Sequence, residues 1–431
     1  MRGDGGRALG CAARGGGLHH APDWRAVVAT DPGTDETWMR RAVDLAEGGR
    51  GTTSPNPMVG AVLVRDERVV GEGFHQAAGQ PHAEAVALAA AGAAAAGATC
   101  YVTLEPCAHH SRTPPCADAL IGAGVARVVA ALVDPDPRVD GAGLERLRAA
   151  GVEVVAGVGA EAAATQNAAY LTHRRLGRPR ITLKAAASLD GKVAAPDGTS
   201  QWITGPAARA DGHRLRAEAD AVLVGAGTAL ADDPRLTVRL PGHAGRQPLR
   251  VLADATGRVA PGGHLFDGEA PTLVATTPAA PAAAVDAWKA AGAEVLICST
   301  VTVGGGSGGA PGAPPVVGRG VDLEDLARGL AARGVLELLV EGGPRLQASL
   351  WAAGLADRLV WYLAPLAIGG AGAPGLLGGA GAATLADARR LRLASVDRLG
   401  DDLRVVAYPR PNEGAESVPP DPHKPSLTGE A

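Results

Sequence analysis

The sequence predicts an α/β fold in two domains, and three observations support this prediction. The chain has 431 residues, which is more than one hydrophobic core usually organises. In the N-terminal half, apolar strand-like runs alternate with segments of helical periodicity, as is typical of a three-layer α/β pattern. Composition then changes near residues 166–180, where Gly177-Arg178-Pro179 precedes a new strand.

The domain boundaries follow from composition and periodicity. Residues 1–35 are rich in Gly and Arg and have no apolar period, so we predict a disordered extension there. A second disordered, Pro-rich tail is predicted at 410–431. Between them we predict a first domain at 36–165, a linker at 166–180 and a second domain at 181–409.

Periodicity and caps predict the elements of the first domain in chain order. Gly48-Gly49 ends the first helix, Pro81 fits the start of the second, and Cys116 opens the third. The predicted helices are 38–48, 82–96, 117–123 and 144–149, and the predicted strands are 60–64, 69–70, 99–104, 125–133 and 152–155.

Charge and composition argue against several functional classes. The net charge of −4 and the pI near 6.3 give no electrostatic reason to expect a nucleic-acid partner. The Ala–Gly run at 89–98 is too short and too weakly apolar to span a membrane. The N-terminal stretch lacks the apolar core of a signal peptide, and the five cysteines suggest no disulfide framework. We therefore expect a reducing, cytoplasmic compartment.

A zinc-deaminase motif lies between residues 81 and 116. His82-Ala83-Glu84 is followed by Pro106-Cys107 and then by Cys116, which is the residue pattern of zinc nucleobase deaminases. One imidazole and two thiolates fill three positions of a tetrahedral site and leave the fourth for water, whereas a structural zinc site normally adds a fourth protein ligand. We predict one Zn²⁺ per chain on His82, Cys107 and Cys116. Glu84 would move a proton from the metal-activated water to the departing amine.

Two Gly-containing turns follow buried strands in the second domain. Strand 221–224 ends in Gly225-Ala226-Gly227-Thr228, and strand 335–340 ends in Glu341-Gly342-Gly343, after which Pro344 opens a helix. Glycines let backbone N–H groups approach a phosphate, and helix N-termini favour anions. The residues alone leave open whether these are phosphate-binding turns or ordinary connections. A full Rossmann fingerprint is absent from the sequence.

Motifs in both halves resemble the bifunctional riboflavin-biosynthesis deaminase/reductase family. Eight residues separate Cys107 from Cys116, which is the long spacing of this family, and Ser54-Pro55-Asn56-Pro57 and Gly73-Phe74-His75 are similar to its motifs. The second-domain markers are 183–191, 200–204, 225–239 and 340–344. One departure is Asp136, which stands where the family would have Asn and so removes an amide donor. Alignment is poor from 242 to 318, a stretch that ends in a Gly- and Pro-rich, flexible insert at 300–318.

The resemblance implies a fold and two activities. The fold would be a cytidine-deaminase-like three-layer α/β/α domain followed by a dihydrofolate-reductase-like α/β domain. The first would deaminate 2,5-diamino-6-(5-phosphoribosylamino)pyrimidin-4-one. The second would use NADPH to reduce the ribosyl group, giving 5-amino-6-(5-phosphoribitylamino)uracil.

The family's contacts can be carried over only residue by residue. The implied NADPH contacts are Ala186, Trp202, Thr228, Asp232, Gly343, Pro344, Arg345, Leu346, Gln347, Ala348 and Ser349. The implied substrate contacts are Ser200, Arg216, Leu236, Arg239 and Glu341. Arg216 and Arg239 are suitable phosphate ligands, because a guanidinium group can donate two parallel hydrogen bonds to phosphate oxygens. Asn56 would contact the deaminase substrate, and the role of Lys184 stays open.

Two alternatives compete with this interpretation. The first is a zinc deaminase of another base, nucleotide or tRNA adenosine with a non-catalytic C-terminal domain. Such a protein would not require the second-domain motifs. A non-enzymatic zinc protein would have no use for Glu84. We expect small phosphorylated pyrimidines as ligands, with no nucleic acid and no membrane; the sequence leaves a homo-oligomer open.

Overall fold

The computed structural model describes residues 32–108, 115–304 and 317–410. The rest of the chain, which includes nearly all of both predicted tails and parts of the cysteine and Gly/Pro inserts, lies outside the described residues. Among the helices that are described, none has the length and apolar character needed to cross a membrane.

A five-stranded sheet forms the centre of the N-terminal domain. Its strands are β1 (Gly60–Arg65), β2 (Arg68–Phe74), β3 (Thr99–Val102), β4 (Arg127–Ala130) and β5 (Glu153–Ala156). Their order is β2-β1-β3-β4-β5. Strand β1 pairs antiparallel with β2 and β3, whereas β3, β4 and β5 are parallel.

Helices cover both faces of this sheet. They are α1 (Pro32–Ala46), α2 (Ala83–Ala91), α3 (Cys116–Gly122), α4 (Ala142–Ala149) and α5 (Ala160–Gln166). Because side chains of a strand alternate between faces, Leu63 of β1 packs with Leu120 of α3, and Val62 packs with Met39 of α1. The predicted three-layer α/β/α arrangement is confirmed.

The first domain begins earlier than predicted. Helix α1 starts at Pro32, and Asp35 is only 6% exposed. Its carboxylate accepts hydrogen bonds from the Tyr101 hydroxyl and the Arg127 guanidinium, both at 2.8 Å. The prediction of a disordered extension reaching residue 35 is therefore wrong for its last four residues. Partners far along the chain hold Asp35, and local composition does not reveal them.

The predicted linker is mostly a helix. Helix α6 spans Ala168–Leu176, and its Tyr170 and Leu171 pack with Leu104 of the first domain and Leu336 of the second. The polar run 173–175 at its end obscured the helix in the sequence. The junction between the domains is thus ordered and partly buried.

A nine-stranded sheet forms the centre of the C-terminal domain. Its strands are β6 (Arg180–Ser188), β7 (Ala221–Gly225), β8 (Leu249–Ala253), β9 (Thr272–Thr276), β10 (Glu294–Ile297), β13 (Glu337–Gly342), β14 (Arg358–Ala364), β15 (Leu391–Leu399) and β16 (Asp402–Pro409). The order is β10-β9-β8-β7-β13-β6-β14-β16-β15. The strands are parallel from β10 to β14, and β16 and β15 add an antiparallel edge. Strands β11 (Thr300–Gly304) and β12 (Val317–Val321) form a separate antiparallel pair at the ends of the predicted flexible insert.

Helices flank this sheet as well. They are α7 (Pro206–Glu218), α8 (Ala226–Asp232), α9 (Ala282–Ala290), α10 (Leu323–Ala331) and α11 (Pro344–Ala352). Leu223 of β7 lies in one core with Leu330 of α10, and Val222 lies in another with Trp288 of α9. The carboxyl ends of the parallel strands β6, β7 and β13 meet at one edge, where ligands of open α/β sheets usually bind.

Candidate active sites

His82, Cys107 and Cys116 come together at the N-termini of two helices. His82 precedes α2, Cys107 follows β3, and Cys116 is the first residue of α3. Nδ1 of His82 lies 3.7 Å from Sγ of Cys107 and 3.3 Å from Sγ of Cys116. All three ligand atoms lie within 4.8 Å of one another. This compact set of one imidazole and two thiols fits a zinc ion that keeps a fourth position for a non-protein ligand.

The charges around this cluster suit metal binding and proton transfer. The hydrogen bond between the two thiols lowers the pKa of Cys107 and raises the pKa of Cys116, so Cys107 is the ligand that ionises first. The thiolate is the form that binds metals. Glu84, in the first turn of α2, is 3% exposed. Burial raises the pKa of Glu84 to about 7, so this carboxyl group can both accept and donate a proton near neutral pH.

His75 links the predicted substrate amide to the metal cluster. Its Nδ1 donates to the Pro81 carbonyl at 3.1 Å, and its Nε2 accepts from the Asn56 amide, also at 3.1 Å. The His75 ring packs edge-on against His82, with 5.6 Å between the ring centroids. In the sequence His75 was only a family marker; its hydrogen bonds indicate that it orients Asn56.

The loop that carries Asn56 is held from two sides. Asn167, which is 2% exposed, accepts from the Met58 N–H at 2.8 Å and donates to the Met58 carbonyl at 2.9 Å. From the other domain, Glu218 forms an ion pair with Arg50 at 3.7 Å. A cavity of about 80 Å³ lies between these contacts, and Asn56 lines it.

Glu105 ties the Cys107 loop to the loop after β4. Its buried carboxylate accepts four backbone N–H groups, from Asp134, Gly141, Gly143 and Leu144. At Gly143 the fit is so close that an added Cβ would lie 1.9 Å from the Pro106 carbonyl.

Asp136, found where an Asn was expected, is engaged by two arginines. Arg138 donates to its carboxylate at 2.6 Å and Arg174 lies 3.4 Å away. The hydrogen bond from Arg138 is the main reason why the pKa of Asp136 lies well below its usual range. The carboxylate therefore serves as an ion-pair partner rather than an amide donor.

The second domain contains a cavity of about 380 Å³ lined with basic side chains. Of the predicted residues, Trp202, Arg216 and Arg239 line it. Three further polar residues, Lys184, Arg209 and His213, line it too. Arg209 and His213 were not identified from the sequence, although their spacing offered a signal, because residues 209, 213 and 216 share one face of a helix.

Glu341 neutralises part of this positive charge. Its side chain is 7% exposed, and both carboxylate oxygens pair with Arg216, while Lys184 Nζ lies 3.4 Å from one of them. Burial alone would raise the pKa of Glu341, but attraction to Arg216 and Lys184 outweighs burial and holds the pKa well below its usual range. Lys184, whose role the sequence left open, is thus a partner of this buried carboxylate.

The two predicted cofactor turns meet at Thr228. A Cβ added at Gly343 would lie 2.9 Å from Oγ1 of Thr228, and one added at Gly342 would lie 3.2 Å from it. Gln347, in the first turn of α11, donates to the Lys184 carbonyl at 2.8 Å. The structure therefore brings α8, α11 and the basic cavity to one edge of the sheet.

The remaining predicted contacts are more dispersed. Ala186 lies on β6, Ser200 lies on the loop before α7, and Asp232 is exposed at the end of α8. Leu236 is buried as a whole residue, 2% exposed. The other predicted residues lie on the first turns of α11, namely Pro344, Arg345, Leu346, Ala348 and Ser349.

Two family models match this chain. The model described as cytidine and deoxycytidylate deaminase zinc-binding region matches residues 32–132. The model described as RibD C-terminal domain matches residues 179–405. The first match includes His82, Cys107 and Cys116, and the second includes all the residues that line the basic cavity.

Proteins similar over nearly their whole length support the same assignment. The riboflavin biosynthesis protein RibD of Escherichia coli is 43% identical over 380 residues, covering 86% of this chain and 98% of that protein. The RibD structure from Acinetobacter baumannii aligns with a TM-score of 0.77 at 37% identity, covering 88% of this chain and 100% of that one. A Thermotoga maritima structure aligns with a TM-score of 0.74 at 32% identity and the same coverages. Its title names a diaminohydroxyphosphoribosylaminopyrimidine deaminase/5-amino-6-(5-phosphoribosylamino)uracil reductase.

Proposed function

The chain belongs to the RibD family of bifunctional riboflavin-biosynthesis enzymes, and on that premise we propose which of its residues carry out the deamination and the reduction. It is a zinc-dependent deaminase and an NADPH-dependent reductase. The deaminase substrate is 2,5-diamino-6-(5-phosphoribosylamino)pyrimidin-4-one, and the final product is 5-amino-6-(5-phosphoribitylamino)uracil. The observation that carries the proposal is that the His82–Cys107–Cys116 cluster and a separate basic cavity occur in one chain.

In the deaminase domain, His82, Cys107 and Cys116 hold one zinc ion. A zinc ion bound there would lower the pKa of a water molecule, so that a nucleophile is available near neutral pH. Glu84 takes the proton from the attacking water and delivers a proton to the amine at C2, which leaves as ammonia. Asn56 holds the pyrimidine ring through its amide, in the orientation that its hydrogen bond with His75 sets.

In the reductase domain, the basic cavity binds the phosphorylated substrate. NADPH, when bound, supplies the hydride that reduces the ribosyl group. Thr228 and the turn 343–349 contact the cofactor, together with Ala186, Trp202 and Asp232. Arg239 and Arg216 bind the substrate phosphate, and Ser200 and Leu236 complete the substrate contacts. Glu341 fixes the orientation of Arg216 and Lys184 beside the substrate.

Product analysis with and without NADPH tests the function as a whole. The purified protein should release ammonia from the diaminopyrimidine phosphate without NADPH. With NADPH, mass spectrometry should detect the ribityl product. Deamination without any reduction of the deaminated product would favour the alternative of a deaminase with a non-catalytic C-terminal domain.

Substitutions at Arg239 and Thr228 should affect different ligands of the reductase. Arg239→Ala removes a charged hydrogen bond to phosphate, worth roughly 1.5–3 kcal/mol, so the KM for the phosphorylated substrate should rise. Thr228→Asp places a negative charge against the cofactor's phosphates and should mainly raise the KM for NADPH. Steady-state kinetics of NADPH oxidation measure both, and deamination serves as the unchanged control. A higher KM for NADPH in Arg239→Ala, with the substrate KM unchanged, would mean that the two phosphate sites are reversed.

A further inference from the structure

His213 lies among cations at the edge of the basic cavity. It is half-buried on α7, one turn away from both Arg209 and Arg216, and it lines the cavity together with Lys184 and Arg239. The proposed deamination and reduction give His213 no catalytic or binding role. Its position, rather than its residue type, makes it a candidate for ligand recognition.

One hydrogen bond defines the protonation of the imidazole ring. The backbone N–H of Arg239 donates to Nδ1 of His213 at 3.3 Å. Because Nδ1 accepts, the proton of the neutral ring is on Nε2. Within the part of the chain that the structure describes, Nε2 has no protein hydrogen-bond partner. The ring therefore joins α7 to the loop that carries Arg239 and keeps one N–H donor available.

The surroundings keep this ring neutral when no ligand is bound. Burial, followed by the positive charges of Arg216, Arg239 and Lys184, lowers the pKa of His213 to about 4, although the Glu341 carboxylate acts in the opposite direction. Arg209, on the same helix face, adds a further positive charge to the cavity. Four cationic side chains thus line the cavity, and two of them, Lys184 and Arg216, already pair with the buried carboxylate of Glu341.

We propose that His213 recognises the substrate phosphate: Nε2–H donates to a phosphate oxygen, and the ring gains a proton as the dianion binds. The proposal rests on the proposed function, in which Arg239 and Arg216 hold that phosphate. A phosphate carries a charge of about −1.5 to −2 near neutral pH, which offsets the cations that disfavour the imidazolium. Protonation would cost the ring its bond from the Arg239 N–H; because that bond is solvent-exposed, the new Nδ1–H could donate to water instead.

This proton uptake links binding to pH. A ligand that binds together with a proton binds more tightly as the pH falls through the pKa of His213 in the complex, and the gain stops at the lower pKa of the free protein. The affinity for the phosphorylated ligand should therefore increase on mild acidification, as long as the phosphate stays dianionic. A ligand without phosphate should show no such dependence.

The first test distinguishes the loss of the Nε2–H hydrogen bond from a loss of folding. His213→Asn keeps an oxygen that can accept from the Arg239 N–H but lacks the Nε2–H donor. We expect its KM for the phosphorylated substrate to rise about 10-fold or more, with the KM for NADPH and the melting temperature unchanged. His213→Gln, whose amide reaches further, should recover part of the loss. Arg214→Ala is the matched control, because Arg214 is the next residue of α7 and its side chain is 64% exposed.

The second test detects the proton directly. In the full-length protein with ¹⁵N-labelled histidine, the His213 signal, assigned by its absence in His213→Asn, should titrate at higher pH with 5-amino-6-(5-phosphoribitylamino)uracil than without it. The dephosphorylated compound should leave it unchanged. An unshifted titration with the phosphorylated product, or a normal substrate KM in His213→Asn, would overturn the proposal.

Arg239→Ala distinguishes failure of this inference from failure of the proposed function. If Arg239→Ala raises the substrate KM and His213→Asn does not, the phosphate site stands and the role of His213 is refuted. If neither variant changes the KM, the phosphate lies elsewhere and both are refuted.

Discussion

Replacing Glu84 by glutamine is expected to abolish deamination while the protein keeps its zinc. The glutamine amide preserves the shape of the side chain but cannot shuttle a proton, and a positioned general acid–base contributes about 100- to 10,000-fold to a rate. Glu84 is buried beside the cluster and its pKa is raised to about 7, so the wild-type group is suited to both proton transfers. Ammonia release and metal content measure the two outcomes separately.

Two controls limit how this result can be interpreted. Reduction of the deaminated intermediate should be unchanged in Glu84→Gln, because the reductase site belongs to the other domain. Glu145→Gln, an exposed position on α4, should deaminate normally. Full deaminase activity in zinc-loaded Glu84→Gln would remove the proton-transfer role.

Replacing Glu341 by glutamine should destabilise the reductase domain and stop reduction. The substitution leaves the positive charges of Arg216 and Lys184 buried without their carboxylate, and breaking such a buried pair costs about 3–5 kcal/mol. Urea denaturation measures the loss, and NADPH oxidation under native conditions measures the activity. Deamination should persist at urea concentrations where the N-terminal domain remains folded.

The pH dependence of this loss follows from the lowered pKa of Glu341. A group whose pKa is lower in the folded state stabilises the protein fully above its unfolded pKa, about 4.3 for Glu, and loses that effect as the pH falls further. The difference between Glu341→Gln and the wild type should thus be full at neutral pH and shrink below about pH 4. Glu324→Gln is the control: its ion pair with Arg328 is exposed, and its effect should stay within about 0.5 kcal/mol. An equal effect of the two substitutions would contradict the buried-pair argument.

The metal cluster could be predicted from the sequence because its ligands lie on short segments with local signals. Pro81 and Cys116 mark helix starts, and two helices that begin beside the same strand end bring their first residues together. The residue types then identify the chemistry. The same logic predicted the turns at Thr228 and Gly343, because each follows a buried strand.

Features that depend on distant partners could not be predicted in this way. Asp35 accepts from Arg127, and Tyr170 of the predicted linker donates to Asp134. Neither pair of residues produces a periodic pattern in the sequence. The helical spacing of His213 places it beside Arg209 and Arg216, but its contact with Arg239 is visible only in the structure. Resemblance to the family identified the reactions, whereas these long-range contacts required coordinates.

The contacts that hold the Asn56 loop come from outside the deaminase domain, and this limits how chimeras of such two-domain enzymes can be built. Asn167 clamps Met58 from the domain junction, and Glu218 reaches Arg50 from the far domain. A chimera that joined only residues 36–165 to an unrelated reductase would keep every zinc ligand yet lose both contacts to this loop. Including Asn167 with α6, and the end of α7 with Glu218, would preserve them. The unit of exchange therefore extends beyond the domain that contains the zinc ligands.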